Sequence, residues 1–197
     1  MLESAGRRHQ RIRRWHSSGN RKTRERMKVR QATAADDVDE VMELVRRVVP
    51  LMRTSGNFQW DETYPNAAVF AHDVEMGQLW LAEIDDHIAG VAAITTDQAP
   101  ENAQVGWDPS EMAVVVHRLA VDPAFRGTGV AAGLMWQAEI VAAEREIRVL
   151  RVDTNTKNEA MQKLLPKLGY LSAGEITLSF RLGLRFRCYE KRLRQTR

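Results

Sequence analysis

Residues 113–131, AVVVHRLAVDPAFRGTGVA, constrain this chain more than any other stretch. Ala113 to Val121 is rich in Val and carries a Leu, the composition of a strand. Asp122-Pro123 ends it, because Pro cannot continue a central ladder. A short loop then reaches Arg126-Gly127-Thr128-Gly129-Val130-Ala131, and an apolar pattern of helical period begins. A strand, a glycine-bearing loop and a helix in succession leave free backbone N–H groups at the helix N-terminus. Those groups and the helix dipole suit an anion, most often a phosphate. Gly127 and Gly129 allow close approach and left-handed dihedrals. Arg126 adds a fixed positive charge with a planar fork of donors.

Three glycine motifs compete for this loop. A P-loop needs Lys and then Ser or Thr after its last Gly, and this loop has neither. The dinucleotide fingerprint G-x-G-x-x-G/A is nearly met by Gly127, Gly129 and Ala132, with Asp153 about 20 residues on. That fingerprint follows its strand almost directly, however, whereas five residues, Asp122 to Arg126, intervene here. It also usually sits in the first βαβ unit, and here a long mixed α/β stretch precedes it.

The third motif, Arg/Gln-x-x-Gly-x-Gly/Ala, is matched without a gap by Arg126 to Ala131. LAVDPAFRGTGVA resembles the acetyl-CoA segment of the GNAT-type N-acetyltransferases. Downstream, Asn158-x-x-Met161-x-x-Leu164 leading to Lys167-Leu168-Gly169-Tyr170 resembles that family's second motif. Two motifs at family spacing form a specific signal. The resemblance implies acetyl-CoA as co-substrate, no metal, and direct acetyl transfer to an amine. It implies that the pantetheine arm runs along Leu119, Ala120 and Val121, with Leu119 and Val121 giving the backbone bonds. It further implies that the pyrophosphate sits on the amides of Gly127, Thr128, Gly129, Val130 and Ala131, with Arg126 beside them. Asn158 is family-typical near the cofactor's arm.

The rest of the chain agrees. Lys28 to Ala32 reads as a strand. Thr33 is the expected N-cap of a helix, with Asp36 three residues on. Val38, Val41, Leu44, Val45 and Val48 mark its apolar face, and Gly56 its end. Asn66 to Met76 reads as a second helix capped by Gly77. Gln78 to Ile84 and His87 to Thr95 form a hairpin turning at Asp85-Asp86. After the central strand come a helix to about Arg145, a strand Val149 to Asp153, a helix Lys157 to Leu168, and closing strands Leu171 to Phe180 and Phe186 to Glu190. The expected class is α/β, the GNAT acyltransferase fold. Its mixed central sheet is flanked by helices in the order βααβββαβαββ. By resemblance the parallel strands at its centre splay apart, opened by a bulge.

Charge divides the chain. Residues 1–26 carry a net +7, residues 180–197 a net +6, and the middle a net −10. Residues 1–26 lack apolar content and period, so a basic disordered extension is expected there, followed by a single catalytic domain over 27–194. Such an arm could bind nucleic acid through counterion release, with Trp15 stacking on a base; the preferred reading is an incidental extension. No apolar run approaches the roughly 18 residues of a membrane span, and no secretory leader is expected. One cysteine, Cys188, excludes an internal disulfide and fits the reducing cytoplasm. It reads as a buried structural thiol.

Acceptor and base are less determined. NFQWDETYP, residues 57–65, sets Trp60 and Tyr64 beside Asp61 and Glu62. It reads either as a binding wall for a cationic ligand or as core aromatics with solvated acids. The acidic body favours a small cationic amine, with a peptide N-terminus as another option; a homodimer is left open. In ribosomal-protein N-acetyltransferases a carboxylate lies five residues before the motif Asn. Here that position is Asp153, read as general base or as a cap of the following turn. His117, two residues before Leu119, is the other base candidate. The family's frequent general-acid Tyr is replaced by Leu165. That departure keeps a second reading in view, an acetyl-CoA-binding module that has lost catalysis.

Overall fold

The structure is a computed structural model that describes residues 26–33 and 35–194. The expected arm over 1–26 therefore lies outside the described residues, apart from Arg26, which pairs with Asp85.

Seven strands form one sheet in the order β1-β2-β3-β4-β5-β7-β6. They are β1 (Met27–Gln31), β2 (Leu79–Ile84), β3 (His87–Thr95), β4 (Ala113–Val121), β5 (Val149–Asn155), β6 (Leu171–Ile176) and β7 (Phe186–Arg192). The helices are α1 (Ala35–Thr54), α2 (Ala67–Glu75), α3 (Val130–Glu144) and α4 (Glu159–Lys167). The chain order is the predicted βααβββαβαββ. Both Asp85 and Asp86 take positive φ, as a tight hairpin turn between right-twisted strands requires. Helix α1 runs through Pro50 to Thr54. At its start the carboxylate reaching back to the Thr33 N–H (3.1 Å) belongs to Asp37.

Helices α1 and α2 cover one face. Val41, Leu44 and Val48 of α1 and Phe70 of α2 bury against Leu79, Leu81, Val91 and Ala93. Helix α3 covers the other face, burying Leu134, Met135 and Ala138 against Ile94, Val114 and Leu150. Strands β2 and β3 alternate between these two cores, Leu79, Leu81 and Val91 facing one and Ala82, Ala92 and Ile94 the other, the period of two that a sheet covered on both sides demands.

Two irregularities decide where a site can form. First, β4 and β5 are parallel but pair only from Ala113↔Val149 to Val115↔Arg151. Beyond that they diverge, while β5 remains paired with β7 through Asn155. Second, Val91 pairs with Ala120 but Ala93 with His117, so β4 carries one extra residue opposite β3. The bulge is at Arg118, whose φ of 51° is left-handed. A bulge re-aims the strand just where the splay begins.

Residues 96–112 close over the uncovered end of β5 and β7. Arg151, almost fully buried, anchors them. It pairs with Glu111 (2.9 Å) and Glu190 (3.1 Å), donates to the Asp108 carbonyl (3.2 Å) and to Gln98, and lies 4.8 Å over the Trp107 ring. Beneath this segment Ile176, Leu178, Phe186 and Cys188 form a small third core. The Cys188 thiol is pushed up to about 12, by burial first and by the charge of Asp153 second. The thiolate is the reactive form. Iodoacetamide at pH 8 should therefore label Cys188 only as fast as the protein unfolds. Rapid stoichiometric labelling of the folded protein would contradict this.

Candidate active site

A cavity of about 110 Å³ opens where β4 and β5 part. Val116 and His117 reach it from β4, immediately after the last paired residue, Val115. Asp153 reaches it from β5, two residues after Arg151. Gln59, Trp60 and Tyr64 enter from the α1–α2 connection, and Phe180 and Arg181 from the β6–β7 loop. The residues expected to carry catalysis and acceptor binding thus share one wall, although up to 93 positions separate Trp60 from Asp153.

His117 Nε2 lies 3.1 Å from the carbonyl oxygen of Asp97. A carbonyl only accepts, so Nε2 carries the proton and donates. In the neutral ring Nδ1 is then the nitrogen able to take a proton. Asp153 is partly accessible through the cavity and otherwise enclosed by protein. Burial pushes its carboxyl above the usual range, and the charge of His117 works against that rise. Asp153 therefore feels the charge of His117 across the site.

Asp153 does not cap the next helix. It lies inside β5, and the turn is built by Asn155, whose side chain accepts from the Lys157 N–H (2.9 Å). Asn158 is the cap of α4, accepting from the Met161 N–H (3.3 Å) while its amide donates to Thr154 Oγ1 (2.9 Å). The sign of the Asp153 effect on stability follows. In the unfolded chain the carboxyl titrates near 3.8, and in the folded protein higher. Its contribution to stability is complete below that unfolded value and is lost as pH rises through the folded one. Asp153→Asn should then raise Tm at neutral pH, with the gain vanishing below about pH 4. A lower Tm at pH 7 would restore the capping role.

The expected cationic wall is built differently. Trp60 is only 4% exposed and belongs to the core beside Phe70. Glu62 pairs with Arg53 (2.6 Å). Asp61 accepts from the Thr63 hydroxyl (2.7 Å) and N–H (2.8 Å), and pairs with Arg181 (2.6 Å). The Thr63 hydroxyl and then Arg181 hold its carboxyl far below the usual range. The Tyr64 ring, half-buried, carries the Arg181 guanidinium 4.9 Å from its centroid. Its hydroxyl accepts from Arg118 (3.2 Å), which grips Asp73 through two bonds of 2.7 Å. The acids and the aromatic face are thus occupied by internal arginines.

Arg118 and Arg181 escaped the sequence reading. Their partners lie 45 and 120 residues away, so no local pattern could announce them.

The glycine loop has the expected form. Gly127 and Gly129 take φ of 76° and 100°, and Gly129 is the N-cap of α3 without a side-chain cap. The Gly129 carbonyl accepts from Gly133, so the amides of Val130, Ala131 and Ala132 have no carbonyl behind them in the helix. A Cβ at Gly127 would meet open space, leaving room for a ligand there. Thr128 donates its hydroxyl to the Phe125 carbonyl (2.7 Å), which stiffens the loop. Arg126 is exposed, and among the described residues no acid pairs with it.

Along β4 the Asp122 N–H donates to Ala89 on β3. Alternation then turns the backbone groups of Val121 and Leu119 to the opposite edge, facing the splay. Ala120 points the other way, paired with Val91 and with its methyl in the core. Leu165 is fully buried within the core on the α3 face, as is Tyr170. The Tyr170 hydroxyl lacks a partner, and burial raises its pKa. Among the described residues lining the cavity, Tyr64 carries the sole hydroxyl.

Comparison with known proteins agrees with this geometry. The profile of the acetyltransferase (GNAT) family matches residues 43–170. YesJ of Bacillus subtilis (strain 168), an uncharacterized N-acetyltransferase, is 24% identical over 140 residues, covering 68% of this chain and 77% of that protein. A GNAT-family acetyltransferase of Streptococcus agalactiae 2603 superposes with a TM-score of 0.72 at 26% identity, covering 86% of this chain and 96% of that one. The structure of YncA from Salmonella typhimurium with its cofactor acetyl-CoA gives a TM-score of 0.62 at 17% identity, over 86% and 95% of the two chains.

Proposed function

The chain belongs to the acetyltransferase (GNAT) family and is an acyltransferase, and from that premise we propose that it acetylates the primary amine of a small acceptor seated between His117 and Asp153. The observation that carries this reading is the splay of β4 from β5. It runs from the open amides of Val130 and Ala131 at the start of α3, past the outward-facing backbone of Leu119 and Val121, to the cavity.

Each segment fits one part of acetyl-CoA. The αL glycines and the first amides of α3 suit the pyrophosphate, and Arg126 adds its charge. The unpaired backbone edge at Leu119 and Val121 suits an extended amide-bearing arm, which would satisfy groups otherwise lacking sheet partners. Asn158 supports this groove by capping α4, its side chain being engaged with Met161 and Thr154. When bound, acetyl-CoA supplies a thioester whose acetyl carbon forms a bond to the amine nitrogen as the C–S bond breaks and coenzyme A leaves as its thiol.

The chain's own residues manage the protons. The amine reaches the cavity as an ammonium, which the Asp153 carboxylate attracts. His117 Nδ1 takes its proton, because Nε2 is committed to the Asp97 carbonyl. Asp153 stabilises the imidazolium that results. Tyr64, or solvent, supplies the proton to the leaving thiolate, the position of the family's Tyr being Leu165.

Calorimetry tests the groove. Gly129→Val, which forces a β-branched residue into φ of 100° and fills the approach to the amides, should weaken acetyl-CoA binding at least ~10-fold, or about 1.4 kcal/mol. Arg126→Ala should weaken it less, since one solvated charge is lost and the amides remain. Unchanged affinity in Gly129→Val would remove the anion site from this loop.

A further inference from the structure

The charges around the cavity bear on what the acceptor carries besides its amine. Arg118, Arg181 and Asp153 supply the formally charged side chains on its wall. The remaining lining is largely apolar, with Val116, Leu178 and Phe180 among it. A purely cationic acceptor would share this wall with one carboxylate and two guanidinium groups, the latter paired with Asp73 and Asp61.

The two arginines are not equivalent. Arg118 has its fork closed. Nε and one terminal nitrogen hold Asp73, and the other holds the Tyr64 hydroxyl. Arg181 is held by one terminal nitrogen alone, at Asp61 (2.6 Å). Its side chain is 13% exposed, and its Nε is buried without any partner. A buried donor left unmade is a standing cost, relieved when an acceptor atom arrives. The Tyr64 ring lies against the guanidinium, 4.9 Å from its central carbon. The other terminal nitrogen has no protein acceptor, and Nε completes with it the edge that a carboxylate takes bidentately once the guanidinium turns toward the cavity.

Resting on the reading of this cavity as the acceptor site, we propose that the acceptor is a small amino acid and that Arg181 holds its carboxylate. The amine then lies toward Asp153 and His117 on the diverging strands. The carboxylate lies toward the β6–β7 loop that carries Arg181. A cavity of about 110 Å³ suits a molecule of this size. It is below the roughly 300–1,000 Å³ of pockets that enclose larger ligands.

The test uses the full chain, acetyl-CoA, and small amino acids, each beside the amine lacking its carboxylate, such as alanine with ethylamine. Coenzyme A thiol release is followed, and acetyl-CoA binding is measured separately by calorimetry. The expected kcat/KM is at least tenfold higher for each amino acid than for its matched amine. Arg181→Gln should raise KM for the amino acids at least tenfold, leave kcat and the acetyl-CoA Kd near parent values, and abolish the preference. Arg181→Lys, which keeps the charge without the fork, should restore part of it. Matched amines used as well as amino acids, or Arg181→Gln acting equally on both sets, would overturn this inference and leave amine acetylation standing. Acetyl-CoA bound but passed to neither set would overturn the amine reading, and this inference with it.

Discussion

His117→Gln is expected to lower kcat by about 10²- to 10⁴-fold, the usual scale for loss of a positioned general base. Glutamine isolates the proton-transfer role. Its amide can still donate to the Asp97 carbonyl, as Nε2 of His117 does at 3.1 Å, so the 96–112 wall keeps its contact. What disappears is the basic Nδ1. Acetyl-CoA affinity should hold, because His117 lies two residues before the cofactor edge at Leu119 and is not assigned to the phosphates. The parent's log kcat/KM should rise with pH and level off, since both the acceptor amine and the base must shed a proton. Asp153→Asn should lower kcat by a smaller factor, through loss of the charge that attracts the ammonium and steadies the imidazolium. A large loss in Asp153→Asn with little in His117→Gln would transfer the base to Asp153.

Arg118→Met is expected to cost about 3–5 kcal/mol of stability, the range for breaking a buried ion pair from one side. For a chain of this size that is a fall in Tm of about 6–20 °C. The reason is Asp73. Its side chain is 3% exposed and depends on two 2.7 Å bonds from Arg118. Burial works against the Arg118 charge, but the Asp73 hydrogen bonds and charge prevail and raise its pKa. Methionine fills the aliphatic volume and leaves a bare carboxylate under α2. Adding Asp73→Asn should recover part of the loss, so the double variant should be more stable than additivity predicts. A loss below about 1 kcal/mol, the surface-pair scale, would mean that Asp73 is solvated.

The pattern that located the fold was local. The Val-rich run of β4, the stop at Asp122-Pro123, the two αL glycines and the apolar period of α3 all act within a few residues. The order βααβββαβαββ therefore emerged without tertiary information. Asp85-Asp86 was legible for the same reason. The bulge had a different status. Resemblance called for one between the central strands, but nothing in VVVHRLAV marks Arg118 as left-handed. That conformation is held by Asp73 and Tyr64, which reach it only once α2 has docked. The acceptor loop was only half legible through the same gap. Asp61 and Tyr64 look free in NFQWDETYP, yet Arg181, 120 residues beyond Asp61, closes on both. Arg151 is a further instance: an arginine inside a buried strand contradicts composition until Glu111, Glu190 and Trp107 converge on it. Asp153 and His117 were singled out as base candidates by motif spacing and strand position, which fixed their place in the chain but not that they share a cavity.

The central claim is that the splay between β4 and β5 delivers an acetyl group to the cavity. The measurement that tests it most directly is a crystal structure of the full chain with acetyl-CoA. The account predicts the pyrophosphate on the amides of residues 127–131 and the arm along Leu119 and Val121. It predicts the thioester carbon opening between Val116 and Asp153, close enough that an amine in the cavity sits about 3–3.5 Å away. Acetyl-CoA bound elsewhere, or bound with its thioester turned away from His117 and Asp153, would contradict it.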